Sequence, residues 1–353
     1  MKHFLTLLAL SVLSAVASAE DVLHIYNWSD YLPEETIATF EEQCGCRIVY
    51  DTFSSNEELM AKLAAGARGY DILVPTDYAV SAMAGRDMLL ELDHARLPNM
   101  KNLKPEFLDR PFDPGNRFSV PYAVGVTLLG FNADKMRQHG IPTDTWAALF
   151  DPKHLAKIKG RVTVLDDQRE LMGAALIYLG YSPNDTDPAH WGEARDVILK
   201  AKPYWAAFNA SNYNVLLAAG DIWLVQGYSM DVYQAAADAE EAGAGVKIGY
   251  AIPKEGAYMA VDNLVIPKTA PEPELALRFI DFVLDGRQSA VLSNELGIGN
   301  PNMAATEFID ASVLEDPALF PQGDVLSRLS NIDELDARQR RAMNRLWTEI
   351  KVQ

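Results

Sequence analysis

The sequence predicts a layered α/β protein long enough for two domains, and three observations carry that reading. Strand-like and helix-like segments alternate along the whole chain, which implies layered α/β architecture. The segment Tyr70 to Val74 is a near-continuous apolar run, the mark of a parallel strand covered on both faces. The 353 residues suffice for two domains of ordinary size, each with its own core.

The elements follow in order. Met1-Lys2-His3, the apolar stretch Phe4 to Val16 and Ala17-Ser18-Ala19 form a basic start, a hydrophobic run and an A-x-A cleavage site, so residues 1–19 read as a signal peptide. No other segment is apolar for the ~20 residues a membrane span needs. No cysteine follows the cleavage site, which argues against a lipid anchor, and the mature chain is expected free in the periplasm. Val22 to Tyr26 reads as a strand that delivers Asn27-Trp28-Ser29-Asp30-Tyr31 at its carboxyl end. Pro33 then opens a helix to Gln43, where its missing N–H costs nothing, and Gly45 closes it. Cys46 to Phe53 is the next strand. Ser55-Asn56-Glu57-Glu58 is a capping box opening a helix with Leu59, Met60 and Leu63 on one face. The strand Tyr70–Val74 ends in Pro75-Thr76-Asp77-Tyr78.

Tyr122 to Asn132 is an apolar run long enough to leave one domain and enter another. Val162 to Leu165 is a strand. Asp166-Asp167-Gln168-Arg169-Glu170 opens the helix Leu171 to Leu179, with Asp166 expected as the cap. Asp221 to Val225 reads as a strand ending at Gln226-Gly227-Tyr228-Ser229-Met230-Asp231. Val246–Ile252 and Met259–Ile266 flank a loop, and Asp262 lies inside the second run. Pro273 to Leu284 carries Leu277, Ile280 and Leu284 at helical spacing. The C-terminal stretch with Leu346 and Trp347 reads as a surface helix.

Formal charge is −18, from 49 acidic and 31 basic residues. So acidic a surface argues against nucleic-acid or anionic-membrane partners and suits a cationic one. Cys44 and Cys46 flank one glycine. An exported chain permits a disulfide, although the ring would be small; two free thiols and a weak metal site stay open. The six histidines are scattered, and there is no G-x-S-x-G, phosphate loop or metal-ligand spacing. No catalytic residue, metal or cofactor is expected.

Asp30, Asp77, Glu170, Asp231 and Asp262 each sit at or just past a strand. Four of them alone have an ordinary structural explanation: Asp30 and Asp231 as helix caps, Glu170 as a first-turn acid favoured by the helix dipole, Asp262 satisfied by backbone N–H groups. Together they can converge if two sheets face one another across a cleft. Asp262 is the most telling, because a carboxylate inside an apolar strand is costly without a partner. An aromatic face beside a carboxylate, as in Trp28-Ser29-Asp30-Tyr31, is a receptor for an organic cation.

At these residues the chain resembles the periplasmic polyamine-binding proteins, the putrescine- and spermidine-binding components of bacterial ABC importers. The specific parts are Tyr26-Asn27-Trp28-Ser29-Asp30-Tyr31, Tyr70 to Pro75, Pro121-Tyr122, Leu165-Asp166-Asp167 with Glu170, Ile252 to Gly256, Asp262 and Pro301 to Ala305. The resemblance implies two lobes of type II architecture, each a mixed sheet flanked by helices, joined by crossing hinge strands. It implies lobe 1 at 20–127 and 258–300, and lobe 2 at 128–257 and 301–353. It implies ligand contacts from Trp28, Ser29, Asp30, Tyr31, Thr76, Tyr78 and Asp262 on one side, and from Glu170, Tyr228 and Asp231 on the other. Tyr228 stands where the putrescine-type pattern has tryptophan. Ala260 and Ile298 stand where relatives carry aromatics, and Asp77 adds a carboxylate beside Thr76. Either the pocket is wider, or Tyr258 and Met259 refill it.

The function implied is capture of a di- or polyamine and its delivery to an inner-membrane ABC permease by a periplasmic monomer, with no nucleic-acid partner and no membrane insertion. The alternatives are the same scaffold for another small cationic or zwitterionic amine, a periplasmic amine sensor, and a carbohydrate hydrolase using two of the carboxylates.

Overall fold

The computed structural model describes residues 21–29 and 31–353. The expected signal peptide and Asp30 lie outside the described residues. The strands are β1 (Val22–Trp28), β2 (Arg47–Phe53), β3 (Ile72–Leu73), β4 (Ser119–Asn132), β5 (Val162–Val164), β6 (Ala207–Phe208), β7 (Leu224–Tyr228), β8 (Ile248–Ala251), β9 (Ala257–Val265) and β10 (Leu329–Ser330). They run in the order β2-β1-β3-β9-β4-β7-β5-β6, with β10 beside β9 and β8 beside β4. Parallel and antiparallel pairs are mixed: β1 is parallel to β2 and β3, whereas β9 is antiparallel to β3 and β4.

β4 joins the two halves of this sheet. Ser119 to Val126 pair with β9 in the first half, and Thr127 to Phe131 pair with β7 in the second. All 14 residues of β4 are buried, as a strand that is covered on both faces requires. Helices flank each half. Pro273–Val283 lays Leu277, Phe279 and Ile280 on a core with Leu23, Ile25, Phe40, Ile72 and Leu264. The second half buries Trp146, Val162, Leu171, Trp191 and Ile198 together. Fully burying each such side chain stabilises by roughly 1.5–3 kcal/mol, so each half has a core of its own.

The first helix runs Glu34–Cys44 behind Pro33, and Gly45 ends it in the left-handed conformation (φ 64°) that glycine adopts without penalty. Turning back there brings Cys44 and Cys46 together, with Cα atoms 5.2 Å apart, and they form a disulfide. Of the alternatives left open by the sequence, this is the one realised. Ser55 caps the helix Asn56–Ala64 through Glu58 N–H (3.1 Å), while the Glu58 carboxylate takes Ser54 rather than Ser55.

Three expectations need correcting. The strand expected at Asp221 to Val225 begins at Leu224 and continues to Tyr228, with Trp223 just before it bonded through its backbone to Arg161 (2.8 Å) and Asn132 (2.9 Å). Asp167, not Asp166, caps the helix Gln168–Tyr178, accepting from Arg169 N–H (2.7 Å) and Glu170 N–H (3.1 Å). Asp166 points outward to Lys351 (2.7 Å). The terminal helix Ala337–Val352 is not wholly superficial, since Met343 and Ile350 enter the second core.

Candidate functional site

The site is built on the front of the two strands that connect the halves. Asp262 lies inside β9, pinned to the end of β3 by a bridge to Thr76. Its oxygens accept from the Thr76 hydroxyl (2.7 Å) and the Tyr31 hydroxyl (2.6 Å). It is satisfied by side-chain hydroxyls, not by backbone N–H groups. Burial pushes its carboxyl up to about 6, against the pull of those two hydroxyls. Asn56 braces the arrangement, donating to the Thr76 hydroxyl (3.0 Å) and the Tyr78 hydroxyl (3.1 Å).

On the second half, Glu170 sits in the first turn of its helix, held by the Thr127 hydroxyl of β4 (2.8 Å). Gln226 of β7 donates to the Glu170 carbonyl (3.1 Å). Burial, then the Asp167 charge, push the Glu170 carboxyl up to about 8. Asp231 is in the first turn of the helix Ser229–Glu241. It is not the cap: that position is Tyr228, and Asp231 accepts from the Tyr213 hydroxyl. The same hydroxyl accepts from Tyr228 N–H (2.9 Å), so one tyrosine positions both residues.

The halves meet in this structure. The Tyr31 phenol is pushed up by burial and by Asp262, and it also feels Asp231 from the other half. The Tyr228 phenol, raised by burial and by Glu170, feels Tyr78. Met230 packs on the first core, and Val126 N–H donates to the Ser229 hydroxyl (3.2 Å). At the rim, Asn56, Glu57 and Tyr78 face Gln168 and Arg169 across a recess of about 240 Å³. Burial and the opposing Asp167 charge push the Glu57 carboxyl up there.

The structure thus gathers Tyr31, Thr76, Tyr78, Glu170, Tyr228, Asp231 and Asp262 at one cleft. Trp28 is half-buried, its indole N–H on the Val74 carbonyl (2.9 Å) and its ring 4.5 Å from Phe53, so one edge is committed to packing. Ser29 is exposed in the turn that follows β1, and Asp30 lies outside the described residues. Asp77 is buried, held by Asn331 (2.9 Å) and pushed by burial up to about 7. Tyr258 does not refill the space beside Ala260. Its hydroxyl reaches the Pro183 carbonyl (2.7 Å) and its ring rests on Gly173. Ile298 belongs to the first core. Sequence reasoning missed Thr127, Tyr213, Gln226 and Asn56. Tyr213 follows the end of β6, where the strand-end pattern that picked out the other residues also applies.

Comparisons with known proteins identify the family and the fold. Residues 35–321 match the model of the bacterial extracellular solute-binding proteins. The chain is 52% identical to a putrescine/cadaverine-binding protein of Pseudomonas aeruginosa, covering 100% of this chain and 99% of that one. It is 37% identical to the putrescine-binding periplasmic protein PotF of Escherichia coli, covering 98% and 95%. Among solved structures, a spermidine/putrescine ABC transporter protein from Listeria monocytogenes superimposes with TM-score 0.86 at 35% identity, covering 94% of this chain and 99% of that one. With the family model matched over most of its length and full-length relatives well above 30% identity, the chain belongs to the bacterial extracellular solute-binding protein family.

Proposed function

We propose that this protein is the periplasmic substrate-binding subunit of a polyamine ABC importer. It captures a di- or polyamine between its lobes and hands it to an inner-membrane permease, without catalysis. One observation carries the reading. Asp262 and Glu170 are both buried, both hydrogen-bonded to hydroxyls, and among the described residues neither has a cation within salt-bridge distance. Such a buried carboxyl either keeps its proton, as the raised values of both groups allow, or ionises against a positive charge brought from outside. An alkyl diammonium supplies one at each end, with Asp231 beside Glu170 and Tyr31, Tyr78 and Tyr228 supplying aromatic faces. The names of the relatives support the same ligand class.

In this reading lobe 1 is 20–127 with 258–300 and lobe 2 is 128–257 with 301–353, the first changeover falling where β4 passes from β9 to β7; the last boundary moves toward β10, because Asn302 bonds the Leu284 carbonyl (2.8 Å) and Ala305, Ile309 and Val313 pack with Ala290 of the first lobe. Trp28, Ser29 and Asp30 complete the ligand contacts in this reading, and the protein acts as a monomer. Calorimetric titration with putrescine, cadaverine, spermidine, spermine, agmatine and γ-aminobutyrate tests it. At least one polyamine binds the wild type, and Asp262→Ala weakens it by about 30-fold or more, since stripping one partner from a desolvated charge pair costs about 2–5 kcal/mol. Unchanged affinity in that variant defeats the site assignment.

A further inference from the structure

We infer that Gly125 is a specificity-determining residue: its absent side chain keeps the middle of the slot open for an aliphatic diammonium chain longer than four carbons. This inference rests on the amine reading above.

The strand register places it. β4 and β9 pair Ala123 with Asp262, Gly125 with Ala260 and Val126 with Met259. Residues opposite one another share a face, and faces alternate along each strand. Val124, Met259 and Val261 line a cavity of about 480 Å³ behind the crossing strands. Gly125, Ala260, Asp262 and Thr127 therefore face the front. Thr127 holds Glu170, so the Gly125–Ala260 pair lies midway between the two carboxylate ends. Positions 123 and 127 are about 13 Å apart along an extended strand.

Neither the backbone nor packing requires a glycine there. Its φ lies outside the left-handed region, and a Cβ built on it meets no atom within 4 Å. At Gly130 and Gly227, further along the same half-sheet, a Cβ would instead strike Val232 and Tyr213. A glycine inside a buried strand forfeits stability relative to alanine, and such glycines mark close approach of a ligand or another backbone. Among the described residues no side chain comes within 4 Å of that position. Tyr258 shares the front face but leans away onto Gly173, and Met259 is at the rear. What remains is an uncharged floor of glycine and alanine beneath the middle of the ligand, with charge only at the ends. A fifth methylene can bow into that space while both ammonium groups keep their carboxylates.

The test titrates wild type, Gly125→Ala and Ala260→Leu with putrescine and cadaverine, and melts each protein without ligand. Gly125→Ala is expected to melt at or above the wild-type temperature. The cadaverine-to-putrescine Kd ratio is expected to rise by about fourfold or more, the worth of one buried methylene. Ala260→Leu is expected to shift the ratio the same way, and decides alone should Gly125→Ala fail to fold. A ratio within twofold of wild type in the folded variants overturns the inference while leaving the amine reading intact. Failure of the wild type to bind either diamine defeats both.

Discussion

Asp262 and Glu170 show how one residue's surroundings set its chemistry. Both are carboxyls that burial has raised, Asp262 from 3.8 to about 6 and Glu170 from 4.5 to about 8. An acid whose folded-state pKa lies above its unfolded value contributes stability that is fully present below the unfolded value. That contribution is lost as pH climbs to the folded one. The ligand-free protein should therefore lose melting temperature between about pH 4.5 and pH 8, with Asp77 (about 7) adding to the fall. An ammonium needs the ionised carboxylate, so the melting-temperature gain on adding amine should grow over the same window. Paired melts with and without putrescine check both slopes. Binding near pH 7 should also release protons, visible as calorimetric heats that depend on the buffer's ionisation enthalpy. Asp262 was legible in the sequence because a lone carboxylate in Ala260 to Ile266 violates the apolar pattern. Choosing between Asp166 and Asp167 was not, because which of two adjacent acids caps the helix depends on where β5 ends.

At the level of elements, the same substitution has opposite consequences at two glycines. Gly227 lets the Tyr213 ring lie flat on β7, where its hydroxyl serves both Asp231 and Tyr228. Gly227→Ala drives a methyl into that ring. It is expected to cost about 1–3 kcal/mol in stability by overpacking, and to weaken amine binding through Asp231; denaturant unfolding and titration measure the two effects. At Gly125, where the added methyl enters open space, stability should hold or rise. Long elements were readable from their periodicity: Pro273–Val283 and Glu34–Cys44 lie within a residue of their expected limits. Two-residue strands such as β6 and β10 are too short to show any period, and their pairing is decided by distant partners. That is why Tyr213 and the Asn331 clamp escaped a reading based on local pattern.

For the whole molecule, the halves are joined by three connections, β4, β9 and the segment around β10, and also touch directly, as where Met230 packs on the first core. Asn331 in that segment donates to Asp77 (2.9 Å) and to the Met259 carbonyl (3.1 Å), while Asn184 of the second half donates to the Asn331 carbonyl (2.7 Å). A ligand that contacts both halves favours the closed state by its differential affinity. Small-angle scattering should show the radius of gyration falling when a bound polyamine is added, and no change for Asp262→Ala. Asn331→Ala removes a side chain that ties the connection down, and a larger ligand-free radius is the expected result. The two-lobed plan was legible from chain length, the long β4 run and family resemblance; the third connection was not.

The sheet order carries a consequence for how the chain is made. β9 is wedged between β3 and β4, yet it is encoded after β5, β6, β7 and β8 of the second half. The amino-terminal half consequently stays without a central strand until residue 265 has left the ribosome. Premature folding of that half is held back by topology alone, which keeps the newborn polypeptide threadable for any translocase that accepts only unfolded substrates.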